Sequence, residues 1–586
     1  MKTLIETLLK QALADVPEDL LPLTARTASI EVENTRDPQH GDFASNLAMR
    51  LAKPARQNPR KLAEALVRAL PHSLMVAKTE IAGAGFINFF LTDRAYHEEI
   101  AKVVRDAQDY GKSNLGAGKR VQVEFVSVNP TGPLHVAHGR HAAFGASLAN
   151  LLQAAGYQVA REYYINDAGR QIDILTVSTW LRYLEIRGES FTFPSNGYVG
   201  DYIVPIAERL FAQEGGALRH PAAAVFADLP ADEPQGGDKD VHIDAIITRA
   251  RELIGAAAYR RVLDLSVAGI LADIREDLAE FGVVFDNWFS ERSLVDSGAI
   301  DRALDTLKAS GRAYQKAGAW WFKSTEFGDE KDRVIVRENG AQTYFASDLA
   351  YVLNKLERGF EHLLYIWGAD HHGYIARLRA GLIALGGAAE SFEVLLVQIV
   401  TLFRGGEKAR MSKRSGDYVT LRDLRREVGN DAARLFYVMR SNDQHLDFDL
   451  ELAKARSNDN PVYYIQYAHA RVASVLRQLN ERGLSYDAAH GLASLDHLRE
   501  AHELQLMKRI CAFPEIVRLC AAQYAPHTLV HYLRDLANDF HTYYSSHQFI
   551  VEDAGLRDAR VTLALAAQTV IRNGLGLLGV SAPSSM

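Results

Sequence analysis

The stretch VQVEFVSVNPTGPLHVAHGRHAAFGASLANLLQAAGYQVAREYYIND, residues 121–167, decides how the whole chain is read. Its first eight residues alternate and are rich in β-branched side chains, which predicts a strand. NPTGP follows as a turn, and from His138 onward the apolar spacing is helical, with Gly156 placed where a helix ends. YQVAREYYIND then predicts a second strand. A strand–helix–strand unit of this kind opens a parallel, doubly wound sheet, whose ligands sit at the carboxyl ends of its strands.

Residues 1–112 begin with helical periodicity and end in TEIAGAGFINFFL, a strand-like run with turn glycines, which predicts an N-terminal α+β domain. YGKSNLGAGKR reads as a linker. The sheet pattern resumes in HLLYIWGAD (362–370) and LLVQIVTLF (395–403), so a Rossmann-like α/β domain spans 113–430 with insertions at about 190–280. Within these, 212–250 is rich in Pro, Gly and Asp and weakly periodic. After Asp431 no strand is expected. Asn460 and Pro461 cap a long helix, and 431–586 predicts an all-α bundle.

A chain of 586 residues calls for three or four such units at roughly 150 residues each. Its 73 acidic and 66 basic residues leave a net charge of −7, so a nucleic-acid partner must be held by local positive patches. The two cysteines, Cys511 and Cys520, exclude a CxxC zinc site and a disulfide framework. No run reaches the ~18 consecutive apolar residues of a membrane span, and MKTLIETLLKQALADVPEDL reads as an amphipathic helix. A cytoplasmic protein without a membrane partner is expected.

His135 and His138 lie three apart at a helix start, on one face, where free amides and the helix dipole attract phosphate. An isolated pair of this spacing could equally be structural or weakly metal-binding. A second feature points to phosphate. Arg404, Lys408, Arg410, Lys413 and Arg414 crowd a glycine-containing stretch suited to closing over a polyphosphate. There is no GxGxxG and no P-loop motif.

Together these segments resemble the two signatures of class I aminoacyl-tRNA synthetases. His135-Val136-Ala137-His138 stands for "HIGH", with Ala137 at the third position, and Arg410-Met411-Ser412-Lys413-Arg414 stands for "KMSKS". VEFVSVNPTGPLHVAHGR, YYINDAGRQ, YFASDLAY, WGADHHGY, NDAAR and RNGLGLLGVSAP narrow the resemblance to the arginyl-tRNA synthetases over nearly the whole chain. The resemblance implies an ATP-dependent arginine–tRNA ligase, working as a monomer with ATP and Mg²⁺ as substrate and no tightly bound metal. Its partners would be arginine and tRNA(Arg).

Residue by residue, the resemblance implies that His135, His138 and Lys413 are catalytic. It implies that Gly139, Met411 and Ser412 join them in binding ATP, and that Glu124, Asn129, Tyr344 and Asp348 bind arginine. Independently of the family, a guanidinium calls for planar carboxylate partners. Glu124 and Asp348 could otherwise be an outward strand residue and a helix cap. Asn88 and Phe89 match a region that contacts tRNA, and Tyr463 with Tyr467, or Tyr543 with Tyr544, could stack on anticodon bases. The roles of Asp370, His371 and His372 stay open, as do those of Asn166, Asp167, Gly169 and Gln171. The alternatives are another class I synthetase, a small-molecule nucleotidylyltransferase and a non-catalytic tRNA-binding relative.

Overall fold

The computed structural model describes residues 1–35, 37–409 and 419–586. At the N-terminus, helices Lys2–Asp15, Leu47–Ala55 and Pro59–Ala69 cover an antiparallel sheet of β1 (Glu33–Asn34), β2 (Phe43–Ser45), β3 (Val76–Ala82) and β4 (Phe86–Leu91), in the order β1-β2-β4-β3. The run TEIAGAGFINFFL is a hairpin, with its glycines in the turn before the strand Phe86–Leu91. Gly83 and Gly85 both take positive φ in its turn, a conformation open to glycine without a Cβ penalty. Ile5, Leu9, Leu47, Leu66 and Phe89 close the core of this domain.

The linker 110–119 does not hang free. Ser113 and Gly116 donate backbone bonds to Ala154 and Ala155, at the end of the histidine helix Val136–Ala154. The central sheet begins with β5 (Arg120–Glu124), β6 (Gln158–Ile165) and β7 (Asn287–Ser290). A separate antiparallel sheet of β8 (Ala313–Lys316), β9 (Ala319–Phe322) and β10 (Arg333–Val336) follows. The central sheet is completed by β11 (His362–Gly368) and β12 (Phe392–Val397), all parallel in the order β12-β11-β5-β6-β7. Its strand order reverses beside β5, which makes the ends of β5 and β11 the topological switch point.

Three departures from the periodicity are informative. The first strand stops at Glu124 and not at Val128, because Val126 (φ 67°) and Ser127 (φ 43°) turn into left-handed backbone. For a β-branched residue that costs on the order of 1–3 kcal/mol, held here by β6: Tyr163 Oη donates to the Val128 carbonyl at 2.9 Å, and Ser127 Oγ accepts from Tyr164 N at 3.0 Å. LLVQIVTLF is split between β12 and β13 (Val400–Arg404), which belong to different sheets. β13 pairs with β14 (Glu407–Lys408) and with β15 (Leu446–Asp449), so the expectation of no strand after Asp431 is corrected. β15 is four residues long, too short for its alternation to stand out.

Between β6 and β7, helices Arg170–Ile186, Val204–Glu214 and Lys239–Glu280 build a core of their own around Trp180, Leu184, Ile243 and Val262. The third helix is broken at Gly255, which has φ 73°. Part of the stretch expected to be weakly periodic is thus its first turns, capped by Asp238.

The C-terminal helices Pro461–Glu481, Ala501–Cys511, Phe513–Ala522, Pro526–Ser546 and Ala554–Leu578 form the bundle. The last is long and apolar enough to cross a membrane by length and composition, yet Leu563, Ala567, Ile571 and Leu575 are buried in the bundle. Asn150 on the histidine helix donates to the Leu577 carbonyl at 3.0 Å, tying the bundle to the sheet domain.

Candidate active site

A cavity of about 490 Å³ opens at the switch point, and three carboxylates from three elements line it. Glu124 is the last residue of β5, Glu291 follows β7, and Asp348 sits on the helix Tyr344–Glu357. Tyr344 begins that helix and is 73% exposed at the mouth, and Asn129 lies after the turn, its Nδ2 donating to Gln171 Oε1 at 2.7 Å. All four residues expected to hold arginine therefore border one space.

Burial and the nearby Glu124 push Asp348 up to about 6, against the hydrogen bond it accepts from Tyr374 Oη. Burial and Asp348 push Glu291 up to about 7. Neither acid has an ion-pair contact among the described residues, and for Asp348 burial outweighs the more distant Arg377 and Lys355. Sequence reasoning missed Glu291, since the short strand NWFS before it carries little periodic signal. Asn166 Nδ2 donates to Glu291 Oε2 at 2.9 Å, and Asp167 brackets the ends of β6 and β7 by accepting from Ser290 Oγ at 2.6 Å and Arg292 N at 3.0 Å. Gly169 takes φ 89° at the start of the next helix.

The histidine turn lies beside this cavity. His135 is the N-cap of the histidine helix, and its ring stacks on that of His138 with centroids 3.4 Å apart. His138 Nδ1 accepts from His135 N at 3.2 Å, which leaves Nε2 as the proton-bearing nitrogen. Burial, helped by His135 and His141, holds His138 well below the ordinary imidazole value, so it is neutral at pH 7. His141, one turn on, lines the cavity and is driven to about 4 by burial and Arg140. The i, i+3, i+6 spacing of the three histidines was its available signal.

At Gly139 an added Cβ would lie 2.7 Å from both Leu421 and Tyr437, so the bare backbone is what lets these two side chains pack there. Arg140 is buried and donates at 2.8 Å to the carbonyls of Gln398, Ser441 and Gln444, fixing the loops around β13 and β15.

Arg410, Met411, Ser412, Lys413 and Arg414 lie outside the described residues. The chain just after them is stitched to the histidine turn: Val136 N donates to Val419 O at 3.3 Å and Leu421 N to Leu134 O at 2.8 Å. Arg404, expected in the cationic cluster, is engaged by Glu427 at 2.7 and 2.8 Å.

In WGADHHGY, Trp367, Gly368, His371 and Tyr374 line the cavity, whereas Asp370 points to solvent. Among the described residues no three His, Cys, Asp or Glu side chains stand close enough together to hold a metal ion. Phe89 is 0% and Asn88 4% exposed, which corrects the expectation that these side chains contact tRNA; Phe86, at 41%, is the exposed residue of β4. Tyr543 is likewise core. Tyr463 and Tyr467 are half-buried with ring centroids 5.8 Å apart, and Arg471 lies 4.4 Å from the Tyr467 centroid.

Three family models match the chain: the arginyl tRNA synthetase N terminal domain over 3–91, the catalytic domain of class I (R) tRNA synthetases over 99–185 and 271–458, and the DALR anticodon binding domain over 465–586. The arginine–tRNA ligase of Thioalkalivibrio sulfidiphilus is 56% identical over 586 residues, and that of Legionella pneumophila (strain Corby) 53% over 587, each alignment covering 100% of both chains. The Thermus thermophilus arginyl-tRNA synthetase structure superposes with a TM-score of 0.73 at 23% identity, over 100% of both chains, and shares the fold. A parallel sheet with three carboxylates at its switch point, a histidine turn beside them and a helical anticodon domain thus meet in one chain, which belongs to the arginyl-tRNA synthetase family and is an arginine–tRNA ligase of class I.

Proposed function

We propose that the switch-point cavity is the arginine pocket, with Asp348, Glu124 and Glu291 receiving the substrate's positive charge. The observation that carries this reading is the convergence of three carboxylates on one space, two of them raised by burial and by a neighbouring carboxylate. Tyr344 closes the mouth over the side chain, and Asn129 holds the α-amino and carboxylate groups.

The arginine carboxylate attacks the α-phosphorus of ATP, forming arginyl-adenylate and pyrophosphate, and the terminal ribose hydroxyl of tRNA then takes the arginyl group, releasing AMP. No protein nucleophile takes part. His138 donates from Nε2 toward the α-phosphate as charge grows on it, with His135 beside it, and Lys413, Met411 and Ser412 meet the departing phosphates. Mg²⁺ comes with the polyphosphate as part of the substrate. Tyr463 and Tyr467 offer faces to unpaired anticodon bases, and the enzyme works as a monomer in the cytoplasm.

The test is charging of total tRNA with each of the twenty amino acids, by the natural protein and by His138→Ala and Asp348→Ala. Arginine alone should be charged, and both variants should lose it. An Asp348→Ala protein that charges arginine with an unchanged KM would remove the pocket assignment.

A further inference from the structure

Glu124 does not wait for substrate unpaired. Lys355, 0% exposed, donates from Nζ to Glu124 Oε2 at 2.5 Å from beneath the cavity, which it does not itself line. The rings of Tyr351 and Tyr365 hold this ammonium from two sides, with centroids 4.1 and 3.8 Å away. The hydroxyl of Tyr365, a cavity residue, has no hydrogen-bond partner among the described residues.

The neighbouring acid takes its hydrogen bonds from other donors, although its charge also acts on Lys355. Glu162, paired with Glu124 across β5 and β6, is taken by Arg358 at 2.5 and 3.1 Å, by Tyr351 Oη at 2.6 Å and by Asn287 at 2.7 Å. Lys355 is therefore the cation assigned to Glu124.

We propose that Lys355 is a positioning and specificity-determining residue for arginine: it occupies one oxygen of Glu124, fixes the carboxylate in place, and presents the other oxygen to the planar guanidinium. This inference rests on Glu124 belonging to the arginine pocket. Its consequence is selection by charge. A neutral side chain of arginine's shape is refused because it brings no charged donor to the second oxygen of the held carboxylate.

The experiment compares arginine with citrulline, whose urea group has the same outline and no charge, in tRNA charging by the natural protein and by Lys355→Met. Arginine KM should rise about 10-fold with kcat changed less than about threefold, and the preference for arginine over citrulline should fall about 10-fold. ATP KM should stay put, which a general folding lesion would not allow. Arginine KM and preference both within about twofold of the natural protein would overturn the proposal. Glu124→Gln separates the two readings. If it leaves arginine KM unchanged, the pocket assignment itself fails; if it raises KM while Lys355→Met does not, only the role of Lys355 fails. Should Lys355→Met not fold, the double variant Glu124→Gln/Lys355→Met, which removes both charges, replaces it. Its arginine KM should not exceed that of Glu124→Gln alone, and a further rise would overturn the proposal.

Discussion

Tyr437 Oη donates to the carbonyl oxygen of Val136 at 2.6 Å, fastening the helix Asn430–Val438 to the first residue of the histidine helix. Gly139, one turn on, lets the same ring approach. Two segments three hundred residues apart in sequence thus set the attitude of the phosphate-binding turn.

Tyr437→Phe should lower stability by about 1 kcal/mol, since it removes a buried hydrogen bond from a carbonyl that keeps its bond within the helix. Gly139→Ala should lower the thermal midpoint as well, because overpacking of about 1–3 kcal/mol outweighs the ~1 kcal/mol that alanine adds to a helix. Thermal scans of both variants check this, and a Gly139→Ala protein of raised midpoint would contradict the packing role.

Arginine binding should depend on pH. Folding raises Asp348 to about 6 and Glu291 to about 7, so both bind protons more tightly in the folded chain than unfolded. Their contribution to stability is present at low pH and lost as pH rises through those values, while arginine, which needs them ionised, binds better. kcat/KM for arginine should therefore climb between about pH 5.5 and 8 and then level off. Glu291→Gln should delete the upper step. A flat profile in the natural protein would refute the assignment.

Asp348→Asn keeps the shape and removes the charge. Arginine kcat/KM should fall at least about 100-fold through loss of a buried charge-assisted contact, with ATP KM little changed. Steady-state charging assays decide it.

Arg358→Ala leaves Glu162, which is fully buried, with only Tyr351 and Asn287. The cost should be about 3 kcal/mol of stability, read as a shift in denaturant midpoint. Arg358→Lys should recover part of it, since a single ammonium replaces the two-pronged contact.

Much of the fold was legible because it is written locally. The first strand, turn and helix show in β-branched alternation, in NPTGP and in the 3.6-residue spacing up to Gly156. β15 and the end of β5 were not, one for its length and the other because the left-handed turn at Val126 and Ser127 is imposed by β6. In the site, Glu124 and Asp348 were found through motif resemblance; Glu291 was passed over because nothing beside it in the chain marks it, and His141 although it continues the three-residue spacing of His135 and His138.

By itself the sequence determined the order of domains, the histidine turn at the head of a helix and the acids available to a cationic substrate, all properties of short segments. Only the tertiary structure decided which acids share the cavity and which cations already serve them. Glu124 and Lys355 are 231 residues apart and 2.5 Å from contact to contact. The physical reason is that the free energy of a buried charge depends on every dipole and ion around it in space, and the crossovers of a parallel sheet bring those neighbours from distant parts of the chain.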